Sequence, residues 1–139
     1  FSIHPWTICD IGHNPPALTK NFAQLEDMLS SGECTSLIIV YGIMADKDLD
    51  SIMPLMPKDA TYVFTSPESA RSLSWDKLRD RYLEFCQKSG RSKSRVYASQ
   101  SVRDAVSTAV KIASQYPGKP LIYIGGSTFV VSEAVACFK

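Results

Sequence analysis

The stretch TICDIGHNPPALTKNFAQLEDMLSSGECTSLIIVY, residues 7–41, contains the pattern on which the fold prediction depends. It begins with a short β-branched run, continues with helical spacing, and ends in an uninterrupted apolar run. Apolar residues recur in its middle part at intervals of three or four, which predicts a helix with one core-facing side. These residues are Leu18, Phe22, Leu25, Met28 and Leu29. A strand, a helix ended by Gly32 and a second strand in this order predict a unit with parallel strands.

The same alternation of strand-like and helix-like segments continues to the end of the chain. Strands are predicted at 7–10, 36–41, 60–65, 95–98 and 120–124, and helices at 16–31, 49–55, 75–89 and 102–116, with a last helix from about Phe129. Asp46, Ser74 and Ser101 stand at expected N-cap positions. The sequence therefore predicts an α/β fold: a Rossmann-like, three-layer domain with a mainly parallel sheet flanked by helices.

Composition and charge narrow the class of protein. A length of 139 residues with 45% hydrophobic content predicts one domain, 1–139, with a single core. The net charge of +1 gives no field that attracts nucleic acid, and no apolar run approaches the roughly 20 residues that span a bilayer. The four cysteines are far apart and are expected to be buried free thiols. We expect a cytoplasmic protein without nucleic-acid or membrane partners.

The residues that follow the predicted strands are the candidates for chemistry, because parallel sheets bind ligands at the carboxyl ends of their strands. The segments there are 10–15 (DIGHNP), 41–48 (YGIMADKD) and 125–128 (GGST). An aspartate such as Asp10 can accept hydrogen bonds from vicinal ribose hydroxyls, and His13 and Asn14 can donate toward phosphate or carboxylate oxygens. Ordinary turn and capping chemistry explains the same residue types equally well.

Two further segments suit anions. Lys47 lies between Asp46 and Asp48 and suits a carboxylate or phosphate, although a capped helix start needs the same residues. Gly126 and Ser127 can present backbone N–H groups to an anion at the start of the last helix. The segment with Gly126 and Ser127 is not a P-loop, because no lysine follows either of its glycines. Neither histidine has zinc-binding spacing, and no G-x-S-x-G nucleophile motif occurs.

Four motifs, taken together and in order, resemble one known family. They are DIGHNP at 10–15, YGIMADKD at 41–48, TSP at 65–67 with Arg71, and GS at 126–127 followed by FVV at 129–131 and Glu133. The pattern is similar to that of the folylpolyglutamate synthase and dihydrofolate synthase family within the Mur-type ligases. The resemblance extends over nearly the whole chain from Thr7.

The resemblance implies that the chain is the C-terminal, glutamate ligase domain of a larger two-domain enzyme, cut away from its N-terminal ATPase domain. Such an enzyme uses ATP and Mg²⁺, the metal being held mainly by the N-terminal domain. It activates a folate or dihydropteroate carboxylate as an acyl phosphate, which L-glutamate attacks to form an amide. The fragment alone is expected to be inactive.

The same resemblance implies roles for individual residues. Asp10, His13 and Asn14 would bind ATP, with His13 as the catalytic candidate near the phosphates and the incoming glutamate. Lys47 and Ser127, with Asp46 beside them, would bind the glutamate carboxylates.

Three alternatives stay open: the first is the C-terminal domain of a cell-wall Mur ligase, and the second is a stand-alone Rossmann-like module that binds a nucleotide or anion without turnover. A domain with capped turns and no ligand is a third. The sequence does not decide the role of Arg71, the oligomeric state, whether the enzyme adds the first glutamate or later ones, or whether the fragment binds ATP or glutamate by itself.

Overall fold

A computed structural model of the chain describes residues 6–11, 15–92 and 95–138. Five strands form one sheet in the order β1-β5-β2-β3-β4, and every neighbouring pair is parallel. The strands are β1 (Trp6–Cys9), β2 (Ser36–Tyr41), β3 (Thr61–Phe64), β4 (Val96–Ala98) and β5 (Pro120–Gly125). The predicted α/β fold with a parallel sheet is confirmed.

In the described residues four α-helices lie between successive strands, and a fifth follows β5. They are α1 (Pro15–Ser31), α2 (Leu49–Ile52), which continues as a short 3₁₀ helix (Met53–Leu55), α3 (Trp75–Ser89), α4 (Val102–Ser114) and α5 (Thr128–Ala136). Helix α1 begins with two prolines, a residue type that the first turn of a helix tolerates. Gly32 directly follows the end of the helix and has a φ of 83°. Each helix lies within a few residues of its predicted position; α4 ends two residues earlier than predicted.

The helices cover the two faces of the sheet, so the domain has three layers. One face packs against α1, α2 and α3, through residues such as Phe22, Ile52 and Tyr82. The other face packs against α4 and α5, through Ala109 and Val130 among others. Strands β2 and β5 are buried along nearly their whole length, which explains why both read as continuous apolar runs in the sequence.

Two expectations are wrong, the Asp46 cap and the burial of all four cysteines, whereas Ser74 and Ser101 occupy their predicted N-cap positions. Asp48, and not Asp46, is the N-cap of α2, because its side chain accepts a hydrogen bond from the Ser51 N–H at 3.3 Å. Ser74 does occupy the N-cap position of α3, but its side chain makes no capping hydrogen bond. All four cysteines are free, yet only Cys34 and Cys86 are buried, while Cys9 is exposed on the edge strand.

Within the described part of the chain, no helix is both long and apolar enough to cross a membrane.

Candidate functional site

The topology creates a crevice at the carboxyl end of β5. The chain leaves β1 and β2 toward the face covered by α1 and α2, whereas it leaves β5 toward the opposite face, where α5 packs. Because β5 lies between β1 and β2, the connections separate on both of its sides. In parallel sheets ligands bind where neighbouring connections separate in this way. The segments that follow these three strands are those that the sequence analysis selected.

Asp10 directly follows β1 on the α1 side of this crevice. Its backbone N–H donates to the Ile124 carbonyl at 2.9 Å, which extends the pairing of β1 with β5 by one residue. Its carboxylate Oδ2 accepts hydrogen bonds from the Tyr123 hydroxyl and from Asn21 Nδ2, each at 2.5 Å. A half-buried carboxylate with donors from two different elements has a defined orientation.

Two buried tyrosines lie beside Asp10. Burial raises the pKa of Tyr123, and its hydrogen bond to Asp10 and the charge of that carboxylate raise it further. Burial followed by the charge of Asp10 likewise raises the pKa of Tyr41. Both hydroxyls therefore stay protonated at neutral pH. The Tyr41 hydroxyl has no hydrogen-bond partner among the described residues, although the side chain is fully buried.

His13 and Asn14, the predicted catalytic and phosphate-contacting residues, lie outside the described residues. Their roles stay predictions. Asp10 directly follows β1, and Pro15 begins α1.

The second side of the crevice is the loop between β2 and α2, which carries Asp46 and Lys47. A neighbouring segment holds this loop through main-chain hydrogen bonds: Ala45 N–H donates to the Arg71 carbonyl at 2.8 Å, and Leu73 N–H to the Ile43 carbonyl at 2.9 Å. Asp46 is exposed and Lys47 is half-buried. Neither side chain hydrogen-bonds or forms an ion pair within the described ranges. Arg71 thus supports the loop through its backbone.

Ser127 forms the third side. It is buried and is the N-cap of α5, and its hydroxyl accepts the Val130 N–H at 3.2 Å. Gly126 before it has a φ of 106°, and a Cβ there would lie 1.9 Å from the Gly42 carbonyl oxygen. The loops that follow β2 and β5 are therefore in backbone contact, which only glycine at position 126 permits. On α5, Glu133 Oε2 accepts the Glu68 N–H at 2.8 Å and so holds the segment that carries Arg71.

The sequence analysis missed the residues that orient Asp10. Tyr123 lies in the strand predicted at 120–124 and Asn21 in the helix predicted at 16–31, and neither was predicted to contact Asp10. Gly125 was assigned to a turn, although it ends β5. No motif marks these residues; the available signal was a tyrosine two positions before a glycine, where both lie on the same face of a strand.

The fold defines a Rossmann-like α/β domain, with a candidate ligand site at its topological switch point. The family model described as "Mur ligase, glutamate ligase domain" matches residues 2–127, and the chain belongs to this family. No curated protein sequence matches the chain.

Solved structures with the same fold include three ligases. The Mycobacterium tuberculosis folylpolyglutamate synthase complexed with ADP is 25% identical, with a TM-score of 0.72 over 95% of this chain and 29% of that one. The Yersinia pestis bifunctional folylpolyglutamate synthase/dihydrofolate synthase, complexed with AMPPNP and Mn ion, is 18% identical, with a TM-score of 0.74 over 99% and 30%. E. coli FolC in complex with ADP is 16% identical, with a TM-score of 0.67 over 99% and 30%. The chain thus spans less than a third of their length.

Proposed function

We propose that the chain is the C-terminal domain of an ATP-dependent folate-glutamate ligase, which joins L-glutamate to a folate or dihydropteroate carboxylate. The observation that carries the proposal is that β1, β2 and β5 end at the same edge of the sheet, so that the segments after them bring together Asp10, whose carboxylate is oriented by two donors, Lys47, which has no polar partner among the described residues, and the N-terminus of α5. Membership of the glutamate ligase domain family supports this reading. The nucleotides bound to similar solved structures support ATP as the cosubstrate.

The reaction has two steps in this proposal. A carboxylate oxygen of the folate substrate attacks the γ-phosphorus of ATP, and ADP leaves, which yields an acyl phosphate. The amino nitrogen of glutamate then attacks the acyl carbon, phosphate leaves, the nitrogen loses a proton, and an amide forms. The C-terminal domain contributes by placing the two substrates near each other, which accelerates a reaction between two molecules.

Each side of the crevice then has its own substrate. Asp10 accepts hydrogen bonds from the ribose hydroxyls of ATP, while His13 and Asn14 approach the phosphates. The Lys47 ammonium, a compact cation, binds a glutamate carboxylate, with Ser127 and the first N–H groups of α5 near the second carboxylate and Asp46 at the rim of the pocket. Because the Ser127 hydroxyl already accepts the Val130 N–H, it is available to the ligand as a donor.

Mg²⁺ is part of the proposal as a cofactor of the whole enzyme, where it would neutralise phosphate charge. In the described ranges no cluster of three His, Cys, Asp or Glu side chains could hold a metal ion. We therefore assign the Mg²⁺ ligands mainly to the N-terminal ATPase domain. We also propose this domain as the second partner of the chain.

The test is product formation by the longer enzyme and by this chain alone, each with ATP, Mg²⁺, L-glutamate, and dihydropteroate or tetrahydrofolate. We expect an amide product and ADP from the longer enzyme only, and only when both acceptor and glutamate are present. Turnover with a cell-wall precursor in place of the folate would instead identify a Mur ligase of that pathway. Nucleotide binding without turnover of either substrate would identify a binding module.

A pair of lysine variants tests the proposed glutamate side. Lys47→Ala should raise the KM for glutamate roughly tenfold to a hundredfold and leave the KM for ATP nearly unchanged, because a charge-assisted contact is lost. Lys111→Ala is the matched control, since Lys111 is exposed in the last turn of α4, away from the crevice. Equal effects of the two substitutions would contradict the assignment.

A further inference from the structure

The Asp10 carboxylate is held by side chains that lie outside the motif containing it. Tyr123 comes from β5 and Asn21 from the second turn of α1, and both donate to the same oxygen, Oδ2. Two donors at one oxygen restrict the rotation of the carboxylate about its last side-chain bond. The orientation of Oδ1 is therefore also determined, because the carboxylate is planar.

The Tyr123 ring is itself held in place. A Cβ at Gly125 would lie 2.9 Å from Tyr123 Cε2 and 3.0 Å from its hydroxyl oxygen, so the ring occupies the space above this glycine. Phe22 of α1 packs against the ring edge-to-face, with 5.8 Å between the centroids. Tyr123 is only 1% exposed. Any residue larger than glycine at position 125 would push the hydroxyl away from Asp10.

The chemistry of the donor suits a permanent role. Burial and the neighbouring carboxylate raise the pKa of Tyr123, so the hydroxyl donates throughout the neutral pH range. A site in which the supporting residues are locked by packing binds with less loss of conformational freedom.

We propose that Tyr123 and Asn21 are positioning residues that aim the Asp10 carboxylate at the ribose hydroxyls and so make the enzyme select ribonucleotides over 2′-deoxyribonucleotides. This inference rests on the proposed function. Gly125 belongs to the same arrangement, because the absence of a side chain there leaves room for the Tyr123 ring. A vicinal diol can donate two hydrogen bonds to one carboxylate, whereas a deoxyribose can donate only one.

The experiment compares ATP with 2′-deoxy-ATP in the longer enzyme. We expect a clear preference for ATP, measured as the ratio of the two kcat/KM values, and Tyr123→Phe should lower this ratio about tenfold, the equivalent of one charge-assisted hydrogen bond. The change should appear in the KM for the nucleotide, with the KM for glutamate unaffected. Asn21→Ala, on a half-buried helix position where alanine favours the helix, should lower the ratio in the same direction.

Tyr62→Phe is the matched control. Tyr62 is also 1% exposed and donates its hydroxyl to the Pro57 carbonyl at 2.5 Å, but it lies on β3, away from Asp10. It should lower stability without changing the ratio. Gly125→Ala, which leaves Asp10, Tyr123 and Asn21 intact, should lower the ratio as Tyr123→Phe does.

The outcomes separate the two proposals. An active folate-glutamate ligase whose nucleotide selectivity is unchanged by Tyr123→Phe and Asn21→Ala would overturn the positioning role and leave the proposed function standing. If the enzyme does not ligate folate, the same ratio is measured from calorimetric binding of ADP and 2′-deoxy-ADP. If Tyr123→Phe and Asn21→Ala change that binding ratio, the positioning role is supported although the proposed function fails. If no nucleotide binds, both the positioning role and the proposed function are overturned.

Discussion

The two sides of the crevice are held in different ways. On the Asp10 side, side chains from β5 and α1 meet at the carboxylate. On the Lys47 side, the loop is held through its backbone, and the lysine side chain has no polar partner in the described part of the chain. The difference predicts that the domain by itself fixes the orientation of Asp10, on the proposed nucleotide side, whereas Lys47 becomes ordered only when the proposed carboxylate ligand binds.

The largest expected effect comes from the contact that joins the two loops. Gly126→Ala would place a methyl group against the Gly42 carbonyl oxygen, and the φ of 106° at this position is unfavourable for alanine. We therefore expect a loss of at least about 4 kcal/mol in the free energy of unfolding. Gly90→Ala is the control: its φ of 77° is similar, but nothing lies within 4 Å of the added carbon. That substitution should cost about 1 kcal/mol. Urea unfolding followed by circular dichroism measures both; equal losses would mean that the loop contact is not tight.

A second comparison tests the two sides directly. Asp10→Ala removes the acceptor of two part-buried donors and should lower the free energy of unfolding of this chain by about 1–3 kcal/mol. Lys47→Ala removes a side chain without a polar partner among the described residues and should change it by less than about 0.5 kcal/mol. Chemical denaturation without ligand is the measurement. A larger loss for Lys47→Ala would refute the idea that only the Asp10 side is prepared in advance.

The neighbouring tyrosine sharpens the argument about orientation. Tyr41→Phe removes a buried hydroxyl that has no partner among the described residues, so stability should stay within about 1 kcal/mol of the wild type or increase. Tyr62→Phe removes a hydroxyl that is hydrogen-bonded and should cost about 1 kcal/mol. Thermal unfolding distinguishes them. A clear loss for Tyr41→Phe would show that its hydroxyl has a partner in the intact fold.

The smallest expected effect concerns how stability depends on pH at the N-cap of α2, in the loop after β2. Hydrogen bonds from the Ser51 side chain and backbone lower the pKa of Asp48 in the folded state. The stabilisation is therefore present above the ordinary aspartate pKa, about 4, and is lost as the pH falls through the lowered value. Asp48→Asn should make the unfolding midpoint less dependent on pH below about 4. Ser51→Ala, which removes one donor, should have the same effect; an unchanged acid profile in both would refute the cap.

Much of the fold could be predicted because burial dictates the pattern of the central strands. The run at 36–41 has apolar side chains on both faces, and only a central parallel strand buries both. The loops that form the crevice followed from the same reasoning, since the carboxyl ends of parallel strands share one edge. The N-cap at Asp48 was missed because two aspartates precede the helix, and the choice depends on which residue lies three positions before a donating N–H.

The support of Asp10 could not be predicted for a different reason. Periodicity states which face Tyr123 occupies, but the reach of its hydroxyl depends on the empty space above Gly125 and on the packing of Phe22. These are three-dimensional contacts between segments more than 100 positions apart. The roles of His13 and Asn14 stay predictions that rest on the resemblance.

The strand order has a consequence for the way in which the chain folds. Among the described residues, β1 pairs with β5 alone, which lies more than 100 positions later in the chain, and β5 also separates β1 from β2. Until residues 120–125 are available, the first strand has no neighbour and β2 presents an open edge. Loop closure over such a separation slows folding, and an uncovered strand edge favours pairing with other chains. The side of the crevice that contains Asp10 is thus incomplete until β5 is available, and a ribosome-bound intermediate would expose apolar strands until that step.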